Sequence, residues 1–159
     1  MESKPVQKLW RFYAIYLTTL FTFIQAEVFC GHRSWSKYYC YYFSGNIYKS
    51  QKDARSYCLS KSMELVSITS YDEQQFIFQT IKYISSNNIW IGLLKGEQGN
   101  FSWSDGSPFI FQNWNPGEPY SRPELSEKCV EMYLNLFGLW NDLNCDTKLG
   151  FVCKGKVSK

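Results

Sequence analysis

Two carboxylates, Glu118 and Glu127, lie in a stretch that contains three prolines and runs into a cysteine. The stretch reads QNWNPGEPYSRPELSEKC and spans residues 112–129. Carboxylate oxygens are ligands that hard cations prefer in proteins. The stretch therefore has two interpretations, an ordinary solvated turn or one half of a cation site.

Other chemistries find less support in the residue types. His32 is the only histidine and no Cys-x-x-Cys pair exists, which argues against structural zinc and against a nucleophile activated by a base. Glu118 and Glu127 could formally act as the acid and base of glycoside hydrolysis. Their surroundings are polar, and such hydrolysis needs a buried carboxyl as the acid. We therefore expect a protein that is not an enzyme.

The charge of the chain gives no reason to expect a polyanionic partner. The formal net charge is +3, and residues 1–26 supply +2 of it through Lys4, Lys8, Arg11 and Glu2, which leaves +1 for the rest. Such a near-neutral balance argues against nucleic acid as a partner and against an anionic membrane surface.

The N-terminus resembles a secretory leader. A basic segment precedes an apolar run, Phe12–Ala26, of about 15 residues, which is shorter than the ~20 needed to cross a bilayer. We predict a signal peptide at residues 1–26, cleaved before Glu27, and a secreted, extracellular protein. The alternative is an uncleaved anchor over Leu9–Ala26, the only reading in which the chain would contact a membrane.

Either reading places the remaining chain in an oxidising compartment, where cysteines form disulfides. The six cysteines then form a framework with 15 possible pairings. No linker or repeat interrupts the chain after residue 30, so we predict one domain over residues 27–159 with its core at 30–154.

The hydrophobic pattern predicts two helices followed by an irregular β half, an α+β fold. An aromatic strand is expected at Lys37–Phe43 and a short one at Glu64–Ile68. The first helix spans Ser50–Ser62, is capped by Ser50, and turns Ala54, Tyr57, Cys58 and Lys61 to one side. The second begins with a capping box of Ser70 and Glu73. Its core-facing residues are Phe76, Ile77, Thr80, Ile81 and Ile84.

From about Cys30 to Lys154 the chain resembles the C-type lectin-like domain family, in the order and spacing of motifs in its second half. These motifs are WIGL at 90–93, WSDGS at 103–107, NWNPGEP at 113–119, EKCVEM at 127–132, LWNDLNC at 139–145 and GFVCK at 150–154. The resemblance implies the long form of that fold, with two helices flanking small antiparallel sheets and a long irregular loop region. It also implies three disulfides, Cys30–Cys40, Cys58–Cys153 and Cys129–Cys145. Trp90 and Trp140 are expected in the core whatever the function.

The resemblance further implies a calcium site at the loop described above. The family's ligands correspond here to Glu118, Glu127, Asn141 and Asp142, with a cis peptide bond before Pro119. In the family this ion also coordinates two vicinal sugar hydroxyls, so we expect a lectin that binds a carbohydrate or glycoprotein. The Glu-Pro start favours mannose-type sugars over galactose-type ones. The family's auxiliary calcium site is expected to be absent, because Leu94–Lys95 and Lys128 stand near its acidic positions.

Tyr120 departs from the family pattern, which has Asn or Asp at that position. A phenol is a poor calcium ligand at neutral pH, although its ring could face the apolar side of a sugar. The departure keeps a second hypothesis open, in which the domain recognises a protein partner without calcium. Asn100 begins the only glycosylation sequon, Asn-Phe-Ser, and is the expected glycan attachment site.

Overall fold

The computed structural model describes residues 27–30, 39–85, 87–120 and 126–156. The expected leader at residues 1–26 and the first two residues of the Lys37–Phe43 strand lie outside this part of the chain. The described elements, in chain order, are β1 (Glu27–Cys30), β2 (Tyr39–Phe43), α1 (Gln51–Ser60), β3 (Glu64–Leu65), α2 (Tyr71–Ile81), β4 (Ile89–Lys95), β5 (Phe101–Trp103), β6 (Glu127–Met132), β7 (Trp140–Asn144) and β8 (Gly150–Lys156).

Both helices begin where the sequence predicts. The Ser50 hydroxyl accepts a hydrogen bond from the Asp53 backbone N–H at 3.2 Å, and Ser70 accepts one from Glu73 N–H at 3.2 Å. Such caps satisfy backbone donors that the first turn of a helix leaves without a partner. The Glu73 carboxylate does not complete the capping box at Ser70, because it accepts from Thr69 N–H at 2.9 Å instead.

The predicted helix and strand are both longer than the observed ones. α1 ends at Ser60 and Lys61 is its C-terminal cap, although the Lys61 ammonium still lies over the Tyr57 ring, 5.0 Å from the ring centre. The strand predicted over Glu64–Ile68 is regular only at Glu64–Leu65. The Val66 backbone N–H still donates to Val152 O of β8 at 2.9 Å, and Val66 O accepts from Gly92 N–H of β4 at 2.8 Å. After Leu65 the backbone therefore still bonds to both neighbouring strands, although the regular pairing has ended.

The strands form one path, in the order β1-β2-β8-β4-β6-β7, with β3 added to β8 and β5 added to β4. Among the described strands the pairings are antiparallel, except that β4 and β8 run parallel. β6 and β7 lie at one end of this path. Val130 of β6 faces Asp142 of β7 across the ladder, and Glu131 faces Asn141.

The core anchors the strands that carry the candidate site. Trp90 and Trp140 are fully buried, as predicted, and so are Ile77 and Ile81 of α2. The indole N–H of Trp140 donates to Gln74 Oε1 on α2 at 2.9 Å. This hydrogen bond satisfies the one polar atom of the ring. Because Trp140 directly precedes Asn141, its burial fixes the start of β7 against the helix.

The three disulfides are Cys30–Cys40, Cys58–Cys153 and Cys129–Cys145, which confirms the pairing that the resemblance implied. Cys58–Cys153 links α1 to β8 across a sequence separation of 95 residues. In the chain-entropy model, a closure of that length stabilises the folded state by about 4–5 kcal/mol. Cys129–Cys145 joins β6 to the residue that follows β7, and so ties together the two strands of the candidate site.

Candidate functional site

The loop before β6 brings Glu118 next to Asp142. The Glu118–Pro119 peptide bond is cis, as the resemblance implied. The backbone N–H of Tyr120 donates to Glu118 Oε2 at 2.7 Å and to Asp142 Oδ1 at 3.1 Å. Two carboxylates that lie 24 residues apart in the sequence therefore meet at one backbone donor.

Asp142 is buried and pairs with a lysine. Only 1% of the residue is exposed. Its second oxygen, Oδ2, lies 3.2 Å from the ammonium of Lys95 at the end of β4. A buried carboxylate requires a partner because its charge is removed from water. Lys95 supplies that partner, and no pattern in the sequence indicated it.

Asn141 is held by a second buried acid. Its Nδ2 donates to Glu131 Oε1 at 3.0 Å, and Asn88 Nδ2 donates to Glu131 Oε2 at 3.0 Å. Burial raises the pKa of Glu131, and the two amide donors partly oppose that shift. Because Nδ2 of Asn141 is engaged by Glu131, the side-chain oxygen is the atom left to act as a ligand.

Glu131 belongs to the candidate site, and the sequence reasoning missed it. An available signal was an acidic residue inside a strand, between the apolar Val130 and Met132. A charge at such a position indicates a buried polar network. Asn88 continues this network, because its side-chain oxygen accepts from Leu134 N–H at 3.2 Å.

Glu127, the first residue of β6, lies in the same electrostatic neighbourhood as the other acids. The evidence is the phenol of Tyr133, two residues beyond Glu131, on which the charges of all these acids act. Burial raises the pKa of the Tyr133 phenol, and the negative charges of Glu131, Glu118, Glu127 and Asp142 raise it further. These four carboxylates thus act on one phenol, and Tyr133 is another residue that the sequence reasoning did not single out.

The remaining predicted residues lie around this cluster. Tyr120 is 52% exposed, Lys128 is exposed and Leu94 is partly buried. Asn100 is exposed in the turn before β5, at an accessible position for a glycan. Over the residues that the structure describes, no helix is both long enough and apolar enough to cross a membrane.

The donors suit calcium in kind, since all four predicted ligands offer oxygen. In the described part of the chain, however, no three His, Cys, Asp or Glu side chains are grouped closely enough to hold a metal. Glu118 and Asp142 converge on the Tyr120 N–H, and Lys95 holds the second oxygen of Asp142. A calcium ion would therefore require Lys95 to move away and Glu127 to join the other two acids.

Comparison with known proteins identifies the family. The model of the "Lectin C-type domain" matches residues 47–155. The human low affinity immunoglobulin epsilon Fc receptor is 46% identical over 119 residues, which cover 72% of this chain and 34% of that protein. The chain belongs to the C-type lectin domain family, and it spans about a third of the length of that receptor in human and in mouse.

Solved structures show the same fold with different binding properties. The cow carbohydrate-recognition domain of CD23, solved in the presence of a GlcNAc2Man3 oligosaccharide, has a TM-score of 0.67 and 36% identity, and the match covers 76% of this chain and 90% of that one. A calcium-independent type II antifreeze protein has a TM-score of 0.66 and 26% identity over 82% of this chain and 98% of that one. The family thus includes members that bind glycans and members that do without calcium.

Proposed function

We propose that this protein is a secreted C-type lectin that binds carbohydrate through one calcium ion held by Glu118, Glu127, Asn141 and Asp142. The observation that carries the proposal is the convergence of Glu118 and Asp142 on the backbone N–H of Tyr120. Convergent oxygens from separate segments are what a calcium site requires.

Calcium would supply open coordination positions for two vicinal hydroxyls of a sugar. The protein's own groups would fix the orientation of the ligand. Glu118 and Asp142 would accept hydrogen bonds from the hydroxyls, and Glu131 would keep the Asn141 oxygen turned toward them. Because Asn141, Asp142 and Glu131 are held by β6, β7 and their disulfide, these three groups have little to reorganise when the sugar binds.

Tyr120 and Glu118 together bear on the choice of sugar. The half-exposed ring of Tyr120 offers an aromatic face to the apolar side of a sugar ring. The Glu118–Pro119 start favours mannose-type ligands, and the similar cow domain was solved in the presence of a mannose-containing oligosaccharide. We therefore propose mannose-type glycans on glycoproteins as the ligand class. We further propose that the protein itself carries a glycan on Asn100 and is exported by cleavage of residues 1–26.

The test is binding of the exported protein to immobilised mannose-type and galactose-type glycans, with calcium and with a chelator. We expect calcium-dependent binding to the mannose-type surface and its loss in Asp142→Ala. Asp146→Ala is the matched control, because Asp146 is an exposed acid on the turn that follows β7. Binding that survives the chelator, or that survives in Asp142→Ala, would contradict the proposal.

A second candidate function is recognition of a protein partner without calcium. It is supported by the Lys95 ammonium, which already neutralises Asp142, and by the exposed ring of Tyr120. The similarity to an immunoglobulin receptor and to a calcium-independent protein agrees with it. In this case calcium and chelator would leave both the melting temperature and partner binding unchanged.

A further inference from the structure

Lys95 places a positive charge beside Asp142, one of the predicted calcium ligands. It ends β4, opposite Phe101 of β5, and its side chain is 15% exposed. Its ammonium lies 3.2 Å from Asp142 Oδ2, and the Asp142 side chain is fully buried. A lysine rarely gives up this much hydration without a charged partner.

We propose that the Lys95 ammonium is an internal counter-ion of Asp142 which calcium must displace, so that Lys95 sets the calcium affinity of the site. This role rests on the proposed function, because it concerns the same ion. The two cations cannot share the Asp142 oxygen, since like charges a few ångströms apart repel strongly at a partly buried site.

The structure also provides a place for the displaced ammonium. The Lys95 ammonium lies 5.6 Å from the centre of the Phe101 ring. The lysine stem is flexible, and an aromatic face attracts a cation within about 6 Å. A rotation of the side chain toward Phe101 and solvent would free Asp142 Oδ2 while the ammonium keeps a favourable contact.

Two consequences follow for the behaviour of the protein. Without calcium, Asp142 still has a counter-ion, so the site does not depend on metal for its folding. With calcium, the ion must break a buried ion pair before it binds, and the affinity is lower than the ligand set alone would give.

The test replaces Lys95 with Met, which keeps the length of the stem and removes the charge. Lys128→Gln is the matched control, because Lys128 is an exposed lysine next to Glu127. Calcium affinity is measured by calorimetry, and the melting temperature is measured with calcium and with a chelator. We expect Lys95→Met to bind calcium about 10- to 100-fold more tightly than the wild type. We also expect it to melt lower in chelator and to gain more from calcium. We expect Lys128→Gln to change the affinity by less than about threefold.

The outcomes separate this inference from the proposed function. If the wild type binds calcium and Lys95→Met binds it equally well, the inference is wrong and the proposed function stands. If only Lys95→Met binds calcium, the inference stands and the lysine has replaced the ion in the natural protein. If neither binds calcium, both are wrong. Should Lys95→Met not fold in either buffer, Lys95→Gln, which keeps a donor for Asp142, is judged by the same criteria.

Discussion

A buried ion pair between α2 and β8 gives the sharpest prediction about what holds the fold together. Lys154 Nζ lies 2.7 Å from Glu73 Oε1, with only 7% and 5% of the two side chains exposed. Glu73 also accepts from the Tyr41 hydroxyl at 2.7 Å, and Lys154 donates to Ser67 O at 3.0 Å. Burial and the neighbouring Glu73 charge raise the pKa of Tyr41, so its phenol stays protonated as a donor.

Removal of one partner leaves the other charge buried without compensation. Lys154→Met should lower the free energy of unfolding by about 3–5 kcal/mol, and Glu73→Gln should lower it by a similar amount. For a domain of this size, such a loss lowers the melting temperature on the order of 10 °C. The double variant contains no unpaired charge. Its loss in free energy of unfolding should therefore be smaller than the sum of the two single losses, by a coupling energy of about 2 kcal/mol or more.

The assay is urea denaturation at pH 7 of the four proteins of this cycle. The control is Lys148→Met, because Lys148 pairs with Asp53 at the surface, at 3.5 Å and with both side chains mostly exposed. We expect the control to leave the free energy of unfolding nearly unchanged, since water screens such pairs. Additive single losses, or a Lys154→Met variant as stable as the control, would refute the reasoning.

The remaining predictions concern a turn, a helix cap and a glycan. Gly138→Ala should destabilise the protein by about 1–3 kcal/mol, because Gly138 has φ +78° and an added Cβ would lie 2.6 Å from Gln74 Nε2; an unchanged melting temperature would contradict this. Ser70→Ala should cost about 1 kcal/mol, since it removes the cap of α2, and a loss below the error of chemical denaturation would count against that role. Asn100→Gln should lower the mass of the exported protein by one glycan, and equal masses of variant and wild type would show that Asn100 carries none.

Local and covalent features could be predicted from the sequence because few residues determine each of them. Ser50 and Ser70 cap the helices in the structure because a cap needs only one side chain and the first turn. The burial of Trp90 follows from its place in the apolar strand β4. The three disulfide pairs followed from the family resemblance, since the residues alone allowed 15 pairings.

Contacts between distant segments could not be predicted, because they depend on how β4, β6 and β7 pack. Lys95 and Asp142 are 47 residues apart, and nothing in either local sequence indicates that they pair. The same holds for Asn88 and Glu131, which are 43 residues apart. Glu131 lies opposite Asn141 because of the register in which β6 pairs with β7. The sequence does not reveal that register, so it does not reveal the contact.

The most direct test of the account is a calorimetric titration of calcium into the folded wild-type protein, with Asp142→Asn beside it. Asp142→Asn keeps the shape of the side chain and removes the charge that Lys95 and the ion would share. We predict saturable heat with one calcium per wild-type chain and no heat with Asp142→Asn. Absence of heat in the wild type, or equal heat in both proteins, would contradict the claim that Asp142 holds a calcium ion.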